Sequence, residues 1–304
     1  MRISGFKKRA VGRIGGVVLA VLLGFCSAAA RADEVARGDA AWARRAEGER
    51  EGRPLPGPIR QAVRSYENVL TARPESLKVR WKLLRALHFA GHFASEGREE
   101  KRRIFDRAKD VSEQGLGLLA DQVGSGVRLE EMDPEQIGSL LQAMEVSPSD
   151  VARLHFWSAI NWGAWSRTVG LLGAVRQGVA NRLFRCTLIA IALEPEYDGG
   201  GAFRLLGRLH AELPRVPFVS GWVDREQAIP LVERAYAMAP ANPGNRLLLA
   251  LTLLDLAPER HSEAVDLLKQ VDGLAPRPAM RIEDHAMSVE ARDRLIAARV
   301  GEAT

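Results

Sequence analysis

The chain has 304 residues, of which 46% are hydrophobic, 27% charged and 6% aromatic, with 15 prolines and two cysteines. That composition can build a substantial core and excludes a collagen, a low-complexity coil and a disulfide framework. A formal charge of +5 points to a polyanion or an anionic membrane as partner until its location is read.

The first 32 residues hold Arg2, Lys7, Lys8, Arg9, Arg13 and Arg31 and no acidic residue, which leaves 37 basic against 38 acidic side chains beyond them. The stretch reads as a basic region, an apolar run from Ile14 to Ala30, and Ala30-Arg31-Ala32 before Asp33. This is the pattern of an export signal cleaved after Ala32, with an uncleaved anchor as the alternative because the apolar run approaches spanning length. Cys26 raises the question of lipidation, but Phe25 before it is too large for a lipid-attachment motif. After cleavage the one thiol is Cys186, inside the run Leu183 to Ile189, where it reads as a small buried hydrophobe. The remainder is near-neutral and has no basic stripe, and only 7 of the whole chain's 43 basic residues are lysines, which speaks against nucleic-acid binding.

Beyond Asp33 apolar residues recur at three and four rather than alternating, so the chain is expected to be all-α. Asp133-Pro134-Glu135-Gln136, Ser147-Pro148-Ser149-Asp150, Asp224-Arg225-Glu226-Gln227 and Asn242-Pro243 carry helix-start chemistry. Residues 47–58, 115–132 and 213–223 read as irregular, the second because of its glycines. Ala228, Val232, Ala235 and Pro240 sit at the offsets of the second helix of a tetratricopeptide repeat; Ala264, Leu268, Val271 and Pro276 repeat them, and so do Ala62, Tyr66, Val69 and Pro74. Small residues at the alanine positions let antiparallel helices approach, and the proline ends each pair. The expected architecture is a tetratricopeptide-like, irregular helical-repeat domain over residues 33–276, of about ten or more helices, followed by a C-terminal helix or tail over 277–304.

Three places invite a chemical reading. His88 and His92 stand four apart on a helix beginning near Ser76, with Glu96 a turn further, but no Glu follows the first histidine as in a zinc hydrolase, and packing is the simpler account. Gly199-Gly200-Gly201 opens a helix carrying Arg204; it reads as a tight turn between packed helices, with Arg204 as a candidate contact for an anionic ligand. In the stretch His155 to Trp165, Trp157, Asn161, Trp165 and Trp162 share an arc of about 140°. That arc is either a core face or the wall of a ligand site in which Asn161 orients an organic molecule. No Ser/His/Asp order, paired carboxylates or reactive cysteine emerges, so neither catalysis nor a cofactor is expected.

The block Leu193-Glu194-Pro195-Glu196-Tyr197-Asp198-Gly199-Gly200-Gly201-Ala202-Phe203-Arg204-Leu205-Leu206-Gly207, continuing through Ala228 to Ala239 and Leu247 to Ala250, resembles the T-component family of tripartite ATP-independent periplasmic (TRAP) transporters. Trp157 to Trp165 is similar to that family's aromatic helix, and the resemblance extends from Val151 to Asp255. It implies an all-helical periplasmic protein that works beside the transporter's solute-binding protein, forms an oligomer and carries a hydrophobic ligand path. Family members are often lipid-anchored, from which Phe25 departs. The expectation is a non-enzymatic transporter scaffold; the alternative is a tetratricopeptide adaptor for protein–protein interaction in envelope assembly.

Overall fold

The computed structural model describes residues 33–124 and 126–301. The export signal, its Ala30-Arg31-Ala32 site and Cys26 lie outside the described residues. Among those described there are twelve α-helices and no strand, only an isolated bridge between Arg50 and Arg53. In order these are α1 (33–43), α2 (Pro56–Ala72), α3 (Leu77–Phe93), α4 (Arg98–Val123), α5 (Pro134–Ala143), α6 (Pro148–Arg176), α7 (Val179–Leu193), α8 (Gly201–Glu212), α9 (Ala228–Met238), α10 (Pro243–Leu256), α11 (His261–Asp272) and α12 (Arg281–Gly301). None of the described helices is long and apolar enough to cross a membrane.

Local chemistry sets most helix starts. The Ser76 hydroxyl accepts from the Val79 amide and that of Ser147 from the Asp150 amide, the Asn242 carbonyl oxygen accepts from Gly244, and Asp133 and Gln136 close a reciprocal capping box. Each cap is worth about 1 kcal/mol and chiefly defines a boundary.

The structure departs from the sequence pattern in four places. Asp224 caps a 3-10 turn, Arg225–Gln227, and α9 begins only at Ala228; Pro230 has no N–H to return to the Glu226 carbonyl, so an unbroken α-ladder cannot run through from Arg225. Residues 115–123, read as irregular, complete α4. Gly115 is there for room, since a Cβ would lie 2.4 Å from Arg80 Cδ. Pro56 and Pro58 belong to the first turn of α2, where a missing N–H costs nothing. Glu96 lies past the end of α3 and does not extend the histidine face.

Two cores result. One gathers α1 to α7 around Ile59, Tyr66, Leu84, Phe89, Leu141 and Leu154; the other gathers α9 to α12 around Leu249, Leu253, Leu268 and Ala291. The spacing-marked residues Ala62, Tyr66, Val69, Ala228, Val232, Ala235, Ala264, Leu268 and Val271 are all buried. α8 and α9 approach so closely that a Cβ on Gly207 would meet Val232 Cγ1 at 2.7 Å and the Ala228 carbonyl oxygen at 2.9 Å. Gly207→Val is therefore expected to lower stability by about 1–3 kcal/mol through overpacking, read as a drop in urea midpoint; an unchanged midpoint would refute the close approach.

The first and last of the described helices are brought together. Arg45, in the turn after α1, is buried and donates to Glu283 at 2.8 Å in the first turn of α12, and Ile282 joins the N-terminal core. This contact brings α12 back onto the N-terminal helices.

Candidate functional site: an aromatic and cationic recess

Trp81, Arg85, His88 and His92 follow one another on α3 at intervals of four, three and four, within about 60° of one another at 100° per residue. Around this stripe stand Trp42 of α1, Tyr66 of α2, Trp157 of α6 and Tyr197 of the turn before α8. The contacts are continuous. The Arg85 guanidinium lies 4.1 Å from the Trp42 ring centre and 5.2 Å from that of Trp81, and Arg45 lies 4.3 Å from Trp42. Arg153 reaches over Trp81 and Tyr197 at 5.4 and 5.1 Å. The Trp157 indole N–H donates to the Tyr197 hydroxyl at 2.9 Å, and its ring lies 5.8 Å from His88, which stacks on His92 at 5.6 Å.

These side chains form one continuous aromatic and cationic cluster, in which Tyr66 and Trp81 are buried. Arg85, His88, Trp157 and Tyr197 are half-buried and His92 is exposed. Yet burial draws His88 down to about 3, helped by His92, Arg167 and Lys101, and draws His92 down to about 4, helped by Lys101 and Arg167. Burial also lowers Arg85 and raises Tyr66 and Tyr197. The two imidazoles are neutral, flat and stacked near neutral pH, so they present aromatic surface. Among the described residues no group of three or more His, Cys, Asp or Glu is arranged to hold a metal.

The tryptophan arc divides. Trp157 faces the recess. Trp162 is 1% exposed and packs edge-on to Trp165 at 5.4 Å within a cluster that includes Phe105, Leu183 and Leu209. Trp165 donates to Asp106 at 2.7 Å, and Lys109 and Arg182 lie over the Trp162 ring. Asn161 staples helices together, donating to the Leu84 carbonyl of α3 at 3.0 Å and the Trp157 carbonyl at 2.8 Å. Arg204 is held in a lock: it donates to Asn245 Oδ1 at 2.6 Å and to the Asp198 carboxylate at 2.5 Å, closing the turn whose Gly199 and Gly200 have positive φ. A Cβ on Gly200 would approach the Ala235 Cα to 3.0 Å, so the triglycine turn serves helix packing and Arg204 is neutralised within it.

The sequence reading named none of Arg85, Trp42, Tyr66, Trp81 and Tyr197 as a site residue. The stripe on α3 was the available signal, with His88 and His92 already marking its face. The fold also joins a pair the sequence keeps 31 apart: His155 Nδ1 and Cys186 Sγ are 3.5 Å from each other. Burial pushes the thiol up to about 12 and the imidazole down to about 4, the reverse of what a thiolate–imidazolium nucleophile needs. Cys186 is the buried small hydrophobe its surroundings suggest.

A scan against protein-family models returns no matching family, and a search of curated proteins returns no match.

Proposed function

We propose that this protein is a non-enzymatic, exported accessory protein of a TRAP transporter, which docks the transporter's solute-binding protein and holds an organic ligand in the recess on α3. The observation that carries the ligand-holding part is the continuous cluster on α3, where the Arg85 guanidinium lies over Trp42 and Trp81 and Trp157 joins the His88–His92 stack to Tyr197. The transporter assignment rests on the resemblance of the block around the triglycine turn. Within this reading the helix pairs are divergent tetratricopeptide units, and the protein works in the periplasm.

A docking surface is available at the corner between α6 and α7. Gly170, with φ 75° and ψ 176°, breaks α6, and beyond it Leu171 and Leu172 are 79% and 74% exposed, with Val175 exposed as well. Over residues 151–193 the chain carries five arginines and no acidic residue. An apolar tip in an arginine-only stretch suits a partner with an acidic rim around an apolar patch. The test is co-purification of the solute-binding protein with the wild type and with Leu171→Asp. The variant is expected to lose the partner at least tenfold while keeping its melting temperature. Failure of the wild type to retain any solute-binding protein would end the transporter reading.

A further inference from the structure

Four buried polar atoms on one face of α6 have no hydrogen-bond partner among the described residues: His155 Nε2, Ser158 Oγ, Asn161 Oδ1 and Trp162 Nε1. Their residues are 7%, 0%, 0% and 1% exposed. At 100° per residue they share an arc of about 120°. Ser158 is three positions from His155 and from Asn161 and four from Trp162, the spacings that set Cβ atoms about 5–6 Å apart on a helix. Three other helices close over the arc. The Asn161 amide reaches the Leu84 carbonyl of α3, Trp162 shares a packed cluster with Phe105 of α4, and His155 meets Cys186 of α7. A fifth unpartnered buried atom, His88 Nδ1, comes from α3. His88 stands one turn beyond Leu84, and its ring lies 5.8 Å from that of Trp157, one turn before Asn161.

The neighbouring side chains do not complete this set. Ser112 of α4, Thr168 of α6 and Thr187 of α7 donate back to carbonyls of their own helices at 2.8, 2.7 and 2.7 Å, whereas the Ser158 hydroxyl does not. Asn161 gives its amide N–H groups to the Leu84 and Trp157 carbonyls. Exchanging its oxygen and nitrogen would set an oxygen against both carbonyls, so Oδ1 stays an acceptor. The Trp162 indole only donates, the hydroxyl does both, and each neutral imidazole offers one donor and one acceptor. Buried polar groups in folded proteins are hydrogen-bonded to protein or to ordered water, because an unmade bond forfeits the solvation lost on burial. An anion at this face would be repelled by Asn161 Oδ1, and a cation would find no carboxylate among the five groups. An apolar guest would leave every one of them unpaired. Water, with two donors and two acceptors, matches the mixture.

We propose that the contact between α3 and α6 holds an internal hydration site centred on Ser158, in which ordered water bridges the Ser158 hydroxyl to Asn161, Trp162 and His155 and reaches His88 at its outer end. At about three hydrogen bonds to protein per buried water, the five atoms call for about two molecules. The site depends on neither the transporter reading nor a ligand at the aromatic cluster.

The experiment is a crystal structure of the full, unaltered protein at a resolution that shows ordered water, joined to urea unfolding of Ser158→Ala. The crystal is expected to show compact density within about 3.2 Å of Ser158 Oγ and of at least one of the other four atoms. Direct packing with no density at Ser158, or elongated density that only an organic guest explains, would overturn the proposal. Ser158→Ala is expected to lower the urea midpoint although alanine is the better helix former, because the bridge loses its central group. A midpoint equal to or above that of the wild type would show that the hydroxyl has no bonded partner, and would overturn the proposal as well. Where Ser158→Ala does not fold, the crystal of the unaltered protein still decides.

Discussion

Trp162→Ala is expected to lose about 3–5 kcal/mol of folding stability, the cost of emptying a fully packed aromatic site. Trp162 is 1% exposed and lies against Trp165 between α4, α6 and α7, so its removal opens a cavity that three helices must either tolerate or collapse around. Trp157→Ala is expected to cost about half as much, because one face of that ring already borders the recess, while abolishing retention of whatever the recess holds. Chemical denaturation of both variants against the wild type checks the ordering. A Trp162→Ala midpoint close to the wild type, or a Trp157→Ala loss as large as that of Trp162→Ala, would contradict the division of the arc into a core half and a recess half.

Acidification is the second large lever. His155 is buried, its pKa is drawn from 6.5 to about 4 by burial alone, and His88 is drawn to about 3. The folded state therefore binds fewer protons than the unfolded chain between the two pKa values, and the slope of unfolding free energy with pH is positive there. Stability is full above pH 6.5, falls as pH drops, and has lost the His155 share by about pH 4. At about 1.4 kcal/mol per pKa unit, that share is on the order of 3 kcal/mol, and His88 adds loss in the same direction. Urea midpoints taken from pH 7 to pH 4.5 should decline steadily, and His155→Phe should flatten the decline. A His155→Phe protein that loses as much stability on acidification as the wild type would show that His155 does not stay neutral in the fold.

The helix count and most helix starts were legible in the sequence because caps and apolar spacing are local: Ser76, Ser147, Asp133 and Asn242 each begin the element their neighbours predict. The misreadings had a common cause. Gly115 looked like a breaker and is a contact point, because what requires it is Arg80, thirty-five positions away in the chain. Arg204 was a candidate contact for an anionic ligand, and the fold gives its guanidinium to Asn245, which arrives from α10, and to Asp198. Arg85 attracted no notice for the opposite reason: an arginine on an amphipathic helix is ordinary until its surroundings are known, and only the assembled fold sets its guanidinium over the Trp42 and Trp81 rings with no counter-ion among the described residues.

By itself, then, the sequence determined that this is an all-helical protein, where most of its helices begin, and that its buried positions recur at the spacing of packed helix pairs. Those properties follow from hydrogen bonds and periodicities that span a few residues. Which tryptophans are core and which arginine lacks a counter-ion were decided by the tertiary structure. The first depends on α4, α6 and α7 meeting around Trp162, the second on α1 and α3 meeting around Arg85. Charge pairing and enclosure are properties of that meeting, and no single segment carries them.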